Sequence, residues 1–177
     1  MAVKQIVSIP DPKLRIVSEK VTKFDSELKK LITDLVDTLE AQDDPPGIGI
    51  AAVQIGVLKR VFIARLGARL KVFINPEIIE LGKNESELFE GCLSVHSYYG
   101  YVYHPMSVTI RAQNASGNTF TAKYKGLPAR IMQHETDHLN GILYIDHVSA
   151  QKRKLLKVVG VDENNEDIFE EVDINTK

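Results

Sequence analysis

Between Ser26 and Glu40 the apolar residues Leu28, Leu31, Ile32, Leu35, Val36 and Leu39 recur at the spacing of one helix face. That spacing predicts an amphipathic helix over 26–40, with Asp25 or Ser26 capping its start. Asp44-Pro45-Pro46 places the helix end before it, because a residue preceding proline disfavours helical geometry. Gly47 and Gly49 then open a run of small residues. The period changes after it. Val61 to Ala64 and Lys71 to Ile74 are short β-rich runs. Val108 to Arg111 and Thr119 to Tyr124 flank Asn114-Ala115-Ser116-Gly117-Asn118, which reads as a hairpin turn. Leu127 to Leu139 returns to helical spacing, with Pro128 suited to the first turn and Gly141 to the position after the last. Ile142 to Ile145 predicts one more strand. From Gln151 the chain is basic (Lys152, Arg153, Lys154, Lys157) and then acidic (Asp162 to Glu171), which predicts a solvated helix or frayed end. Helices first and last with strands between predict an α+β fold. Its antiparallel sheets would surround the 127–139 helix, with residues 1–150 as one domain and 151–177 as a charged tail.

Composition narrows this picture only a little. The 177 residues are 44% hydrophobic and 26% charged, ordinary values for a globular chain. A net charge of -2 gives no electrostatic reason to expect nucleic acid or an anionic membrane. No segment approaches the roughly 18 apolar residues of a membrane span. With one cysteine no intrachain disulfide can form, which fits a reducing, cytoplasmic location.

His134-Glu135-Thr136-Asp137-His138 changes the picture most. Two histidines four apart lie on one face of a helix, so their imidazoles can converge on one ion. Glu135, beside the first of them, can reach a water on the ion's open position and move its proton. The motif fixes only three positions, so chance is its competing explanation. The apolar Leu127, Ile131 and Met132 turn this helix inward, and buried histidines need polar partners. A catalytic site of this kind uses three protein ligands. The third could be a downstream acid, another histidine, or Cys92, the softest donor in the chain. The alternative for a lone cysteine is an inert buried side chain.

Three segments together resemble the peptide deformylase family. They are Gly47-Ile48-Gly49-Ile50-Ala51-Ala52-Val53-Gln54, Glu90-Gly91-Cys92-Leu93-Ser94, and Gln133-His134-Glu135-Thr136-Asp137-His138-Leu139-Asn140-Gly141. The resemblance runs from about Ile9 to Val148. It implies that Cys92, His134 and His138 are the metal ligands and that Glu135 is the general base and acid. It makes the Gln54 side chain and the Leu93 backbone N–H the oxyanion donors. The implied reaction removes the formyl group from the N-terminal formylmethionine of nascent polypeptides and releases formate. One divalent ion is implied, iron(II) in the cell, and zinc, nickel or cobalt suit the same donors. The partners implied are nascent chains and a contact with the ribosome surface. Lys152 to Lys157 could meet RNA there, although a solvated face explains them as well; sequence-specific nucleic-acid binding and membrane association are not expected.

The substrate groove follows from the same resemblance. Backbone around Gly49 and Gly91 would hold the peptide like an added strand. Ile48, Leu127 and Ile131, with Leu88 a further candidate, would accept the methionine side chain, with Arg130 covering an edge through its aliphatic stem. The chain departs from the family between Val95 and His104. His96 stands at a usual proline, and Tyr99 and His104 stand at usual arginines. A peptide-binding rim rebuilt this way predicts weaker discrimination by downstream charge, and His104 with Asp137 is expected to form a pair behind the helix.

Overall fold

A computed structural model describes residues 3–43 and 46–173. Asp44 and Pro45, read above as helix terminators, and the last four residues of the tail lie outside the described residues. Helix α1 (Ser26–Glu40) starts on Asp25, whose carboxylate accepts from the N–H groups of Glu27 and Leu28 at 3.1 and 3.2 Å. It buries Leu28, Leu35, Thr38 and Leu39. Strands β1 (Gly49–Ala51), β2 (Val61–Leu66) and β3 (Arg69–Leu81) follow, with a 3-10 turn over Ala52–Ile55 between the first two. β4 (Glu85–Cys92), β5 (Val95–Pro105), β6 (Ser107–Gln113) and β7 (Thr119–Lys125) lead into α2 (Leu127–Leu139). The chain closes with α3 (Tyr144–Ala150), β8 (Leu155–Val161) and β9 (Asp167–Val172).

Two antiparallel sheets result, ordered β1-β2-β3-β6-β7 and β4-β5-β8-β9. β2 explains why its sequence is a continuous apolar run rather than an alternation. Val61 and Ile63 face the core beneath α1, whereas Phe62 and Ala64 face the core shared with α2. All four are fully buried. Phe62 stacks on Phe73 across the strand pair, ring centroids 4.7 Å apart. α2 packs on β1, β2, β3, β6 and β7 of one sheet and on β5 of the other. That position brings β4, the edge strand of the smaller sheet, to the helix that carries both histidines.

Two expectations are overturned. Ile142–Ile145 is not a strand, because Tyr144, Ile145 and Val148 are buried at helical spacing and the Asp146 carboxylate accepts from the Leu143 N–H at 2.8 Å. The segment after Gln151 is neither a solvated helix nor a frayed end. Leu155 is buried, Leu156 and Lys157 pair with Tyr99 and Tyr98, and β8 returns through β9. The return is tied by Asp162, which accepts from the N–H groups of Asn164 and Glu166. β4 and β5 had no legible signal, since their exposed positions are mixed polar and aromatic.

After α2 the chain turns on Gly141 at φ 73°, where a Cβ would stand 2.5 Å from the Arg15 carbonyl oxygen. Gly141→Ala therefore combines left-handed strain with a backbone clash. It should cost about 1–3 kcal/mol of unfolding free energy in urea titration; an unchanged midpoint would show that this turn relaxes freely.

Candidate active site

α2 and the β4 end face each other across the site. His134 and His138, one helical turn apart, have ring centroids 4.9 Å apart at 81°. Cys92 closes the last residue of β4, and its Sγ lies 3.2 Å from His138 Nε2. The donor atoms of Cys92, His134 and His138 all lie within 4.8 Å of one another, so the three could hold one metal ion. The donor set fits a first-row divalent ion of the zinc or iron kind, one sulfur and two imidazoles with room for a further ligand.

Glu135 sits against Gly49. A Cβ at that position would meet Glu135 Oε1 at 2.4 Å, so only glycine lets β1 pass this close to the carboxylate. Oε2 is buried without a hydrogen-bond partner among the described residues. Burial pushes the Glu135 carboxyl up to about 7, against the opposing charge of His134. Such a group exchanges protons near neutral pH.

The orientation of Gln54 is fixed by one bond. Its Oε1 accepts from the Ala51 N–H at 2.8 Å, which turns Nε2 toward Ser94 Oγ at 3.2 Å and Cys92 Sγ at 3.6 Å. An amide donor therefore points at the cysteine end of the site. Leu93 adjoins it on the turn after β4.

Glu90 lies behind this donor cluster. Its Oε2 is 3.0 Å from His134 Nδ1, which leaves Nε2 of that ring for the site. Its Oε1 accepts from Arg130 Nη1 at 2.5 Å and lies 3.5 Å from His104 Nε2. Burial pushes Glu90 up, but the hydrogen bond and charge of His134, with His104 and Arg130, outweigh it and hold the carboxyl at about 2. Burial likewise pushes both His134 and His138 down. The contacts of His134 with Cys92 and Glu90 reverse this and raise it, whereas His138 stays low beside the charge of His134.

A cleft of about 590 Å³ opens over the site. Gln54, Cys92, Leu93, His134 and Glu135 line it, and so do Ile48, Gly49, Gly91, Tyr99, Leu127, Arg130 and Ile131. Leu88 does not line it. Arg130 differs from the expectation of an edge covered by its stem. It is 5% exposed, and its guanidinium donates to Glu90, to the Val102 carbonyl at 3.0 Å and to the Ser86 carbonyl at 2.8 Å. The expected pairing of His104 with Asp137 is also replaced. Asp137 Oδ2 bonds His147 Nε2 at 2.7 Å, while His104 Nδ1 faces Gln133 Oε1 at 3.3 Å and its ring meets the edge of His147. Sequence reasoning missed the roles of Glu90, Ser94 and His147. For Glu90 the available signal was its place in the segment ending at Cys92.

An α+β fold that brings the Cys92 thiol of β4 to two imidazoles and a buried carboxylate of the HExxH helix has the groups that hydrolases use. A sequence model described as polypeptide deformylase matches residues 3–154, and the chain belongs to that family of enzymes. The peptide deformylase of Agrobacterium fabrum is 42% identical over 161 residues, covering 88% of this chain and 93% of the relative. That of Cellvibrio japonicus is 41% identical over 160 residues, covering 89% and 93%. The crystal structure of peptide deformylase from Thermotoga maritima superposes with a TM-score of 0.79 at 36% identity, over 83% of this chain and 98% of that one. The Ehrlichia chaffeensis enzyme in complex with actinonin gives 0.80 at 36% identity, over 86% and 92%.

Arg130→Met leaves Glu90 buried with its one guanidinium partner among the described residues gone. Loss of about 3–5 kcal/mol of stability is expected in urea titration, with partial recovery in Arg130→Lys. Because the folded value of Glu90 is depressed, its contribution is present above about 4.5 and is lost as pH falls toward about 2. A variant as stable as the parent at pH 7 would mean that the histidines alone hold the carboxylate.

Proposed function

We propose that the chain removes the formyl group from the N-terminal formylmethionine of nascent polypeptides, using one divalent ion held by Cys92, His134 and His138. The observation that carries this reading is the Glu135 carboxylate, buried with one oxygen unpartnered among the described residues, beside three convergent donors. A structural metal site has no use for such a group. When bound, the ion would acidify a water and polarise the formyl oxygen. Glu135 would accept a proton from the water whose oxygen adds to the formyl carbon, and would return it to the amine nitrogen as the C–N bond breaks, giving formate and a free methionine amino group. Gln54 Nε2, held in place through Ala51, donates to the oxygen on which negative charge develops, and the Leu93 N–H is assigned the same task.

The substrate lies along the open edge of β4, held by backbone at Gly49 and Gly91. Ile48, Leu127 and Ile131 receive the methionine side chain. The contact of Gly49 with Glu135 and the fully buried Ala51 leave little space beside the reacting carbon, which favours formyl over larger acyl groups. Iron(II) is the proposed ion in the cell, and zinc, nickel or cobalt suit the same donors. This reading takes α2 as the central helix between the sheets, α1 as the amphipathic cover, and residues 1–150 as the catalytic unit. It also includes a cytoplasmic location and contact with ribosomes bearing nascent chains, without sequence-specific nucleic-acid recognition. No helix among the described residues is long and apolar enough to cross a membrane.

The central test pairs metal analysis with formate release from a formylmethionyl peptide. Glu135→Gln should keep the metal and lose turnover by about 100-fold or more, as expected for a missing general base; retained turnover would remove Glu135 from the mechanism. Gln54→Ala should lower kcat by about 100- to 1,000-fold with metal retained. The base must be deprotonated, so kcat/KM should rise with pH to a plateau. Its acid limb should lie at or below about 7, because a bound cation lowers the value that burial raises.

The rim yields a separate expectation. Among the described residues lining the cleft, Arg130 supplies the guanidinium, and it is committed to Glu90 and two carbonyls. Peptides with free and amidated C-termini should therefore be turned over at similar rates; a strong preference for the free carboxylate would show a cation acting there after all.

A further inference from the structure

Residues 155–172 lie beyond the stretch matched by the family's sequence model, yet they form the β8–β9 hairpin, paired to β5. Phe169 of this hairpin joins Phe89, Tyr99 and Tyr101 on one face of the smaller sheet. Phe89 and Tyr99 stack with centroids 5.1 Å apart and planes 5° from parallel. Phe169 meets both edge-on, at 5.6 and 5.7 Å, and Tyr101 tilts against Phe89 at 5.1 Å. These are favourable aromatic geometries, yet Phe89, Tyr101 and Phe169 remain 41%, 45% and 39% exposed. An exposed aromatic cluster of this kind marks an interaction surface.

Its position identifies the occupant. Phe89 and Tyr99 line the cleft that contains Cys92 and Glu135. Tyr99 presses on Gly91, where a Cβ would come within 2.5 Å of the ring. β4 is an edge strand, open to an added peptide. Phe89 precedes Cys92 by three residues, about 10 Å along the strand. A peptide whose formyl carbon lies at the Cys92 end places the first or second residue after methionine beside that ring.

We propose that the hairpin is a specificity element of the cleft. Phe169 props the Phe89–Tyr99 stack into an aromatic wall that selects peptides with an aromatic side chain one or two residues after the methionine. The proposal rests on the deformylase reading of the cleft. Phe169 is a positioning residue in it, acting through the two rings rather than on the formyl group.

The test uses the metal-loaded full chain and three amidated peptides: formyl-Met-Ser-Ser, formyl-Met-Phe-Ser and formyl-Met-Ser-Phe. At least one phenylalanine peptide should exceed the Ser-Ser peptide in kcat/KM by about fivefold, with the gain in KM. Phe169→Ala should bring that ratio near one, and Phe169→Tyr should keep it. If Phe169→Ala does not fold, Tyr99→Leu, which breaks the stack from β5, should bring the ratio down in the same way. A parent enzyme that turns over all three peptides equally overturns the proposal, and so does an alanine variant with its ratio intact. A concentration-dependent dimer that Phe169→Ala abolishes assigns the patch to a second copy of this chain and overturns it too. No formate from any of the three peptides instead refutes the underlying deformylase reading and this proposal with it.

Discussion

The buried carboxylate of Glu90 is the constraint on which the site depends. An anion with little access to water is tolerable only when paired and hydrogen-bonded. Glu90 meets that requirement with Arg130 and His134, both from α2, and with His104 from β5. The strand that ends in Cys92 is thereby fastened to the helix that carries both histidines. The same contacts orient the His134 ring and hold the β4–β5 pair through the carbonyls of Ser86 and Val102. Without this carboxylate, β4 would lose its charged tie to α2 and His134 the acceptor at its Nδ1.

The residues facing Glu90 make sense around that point. His104 offers only an imidazole, and a buried glutamate facing only imidazoles would lack a permanent cation. Arg130 supplies it from the neighbouring helix, 2.5 Å from the carboxylate. A guanidinium on α2 does what one on β5 would do, because the carboxylate requires a fixed charge and not a fixed sequence position. His104 is then free to turn its other nitrogen toward Gln133, and His147 takes the hydrogen bond to Asp137.

Legibility followed from how directly each element writes its environment into its pattern. α1 was readable because one face of it is buried, β2 because both of its faces are, and α2, buried nearly all round, through its apolar first turns and its paired histidines. β4 and β5 were not, since Phe89, Tyr99 and Tyr101 stand on an exposed face where apolar alternation carries no core signal. The closing hairpin was hidden by its charges, although Leu155 pins it to the core. That Cys92, His134, Glu135 and His138 belong together was readable through spacing and resemblance. The commitment of Arg130 was not, because it depends on where Glu90 lies in three dimensions, forty positions away in sequence.

Four buried side-chain atoms lack partners among the described residues, and two of them, Glu135 Oε2 and His138 Nδ1, belong to the cluster formed with Cys92 and His134. Unpaired buried polar groups are rare because each costs stability. A core selected for stability alone would replace Glu135 with an apolar side chain. Instead Gly49 gives up its own side chain so that β1 can pass the carboxylate. Two positions on different elements thus accept a loss in packing or pairing at the same point in space. Such coincidence of local costs is expected where chemistry, not folding, sets the residue. It singles out the Gly49–Glu135 contact, independently of any motif, as the place where the proposed chemistry would be sited.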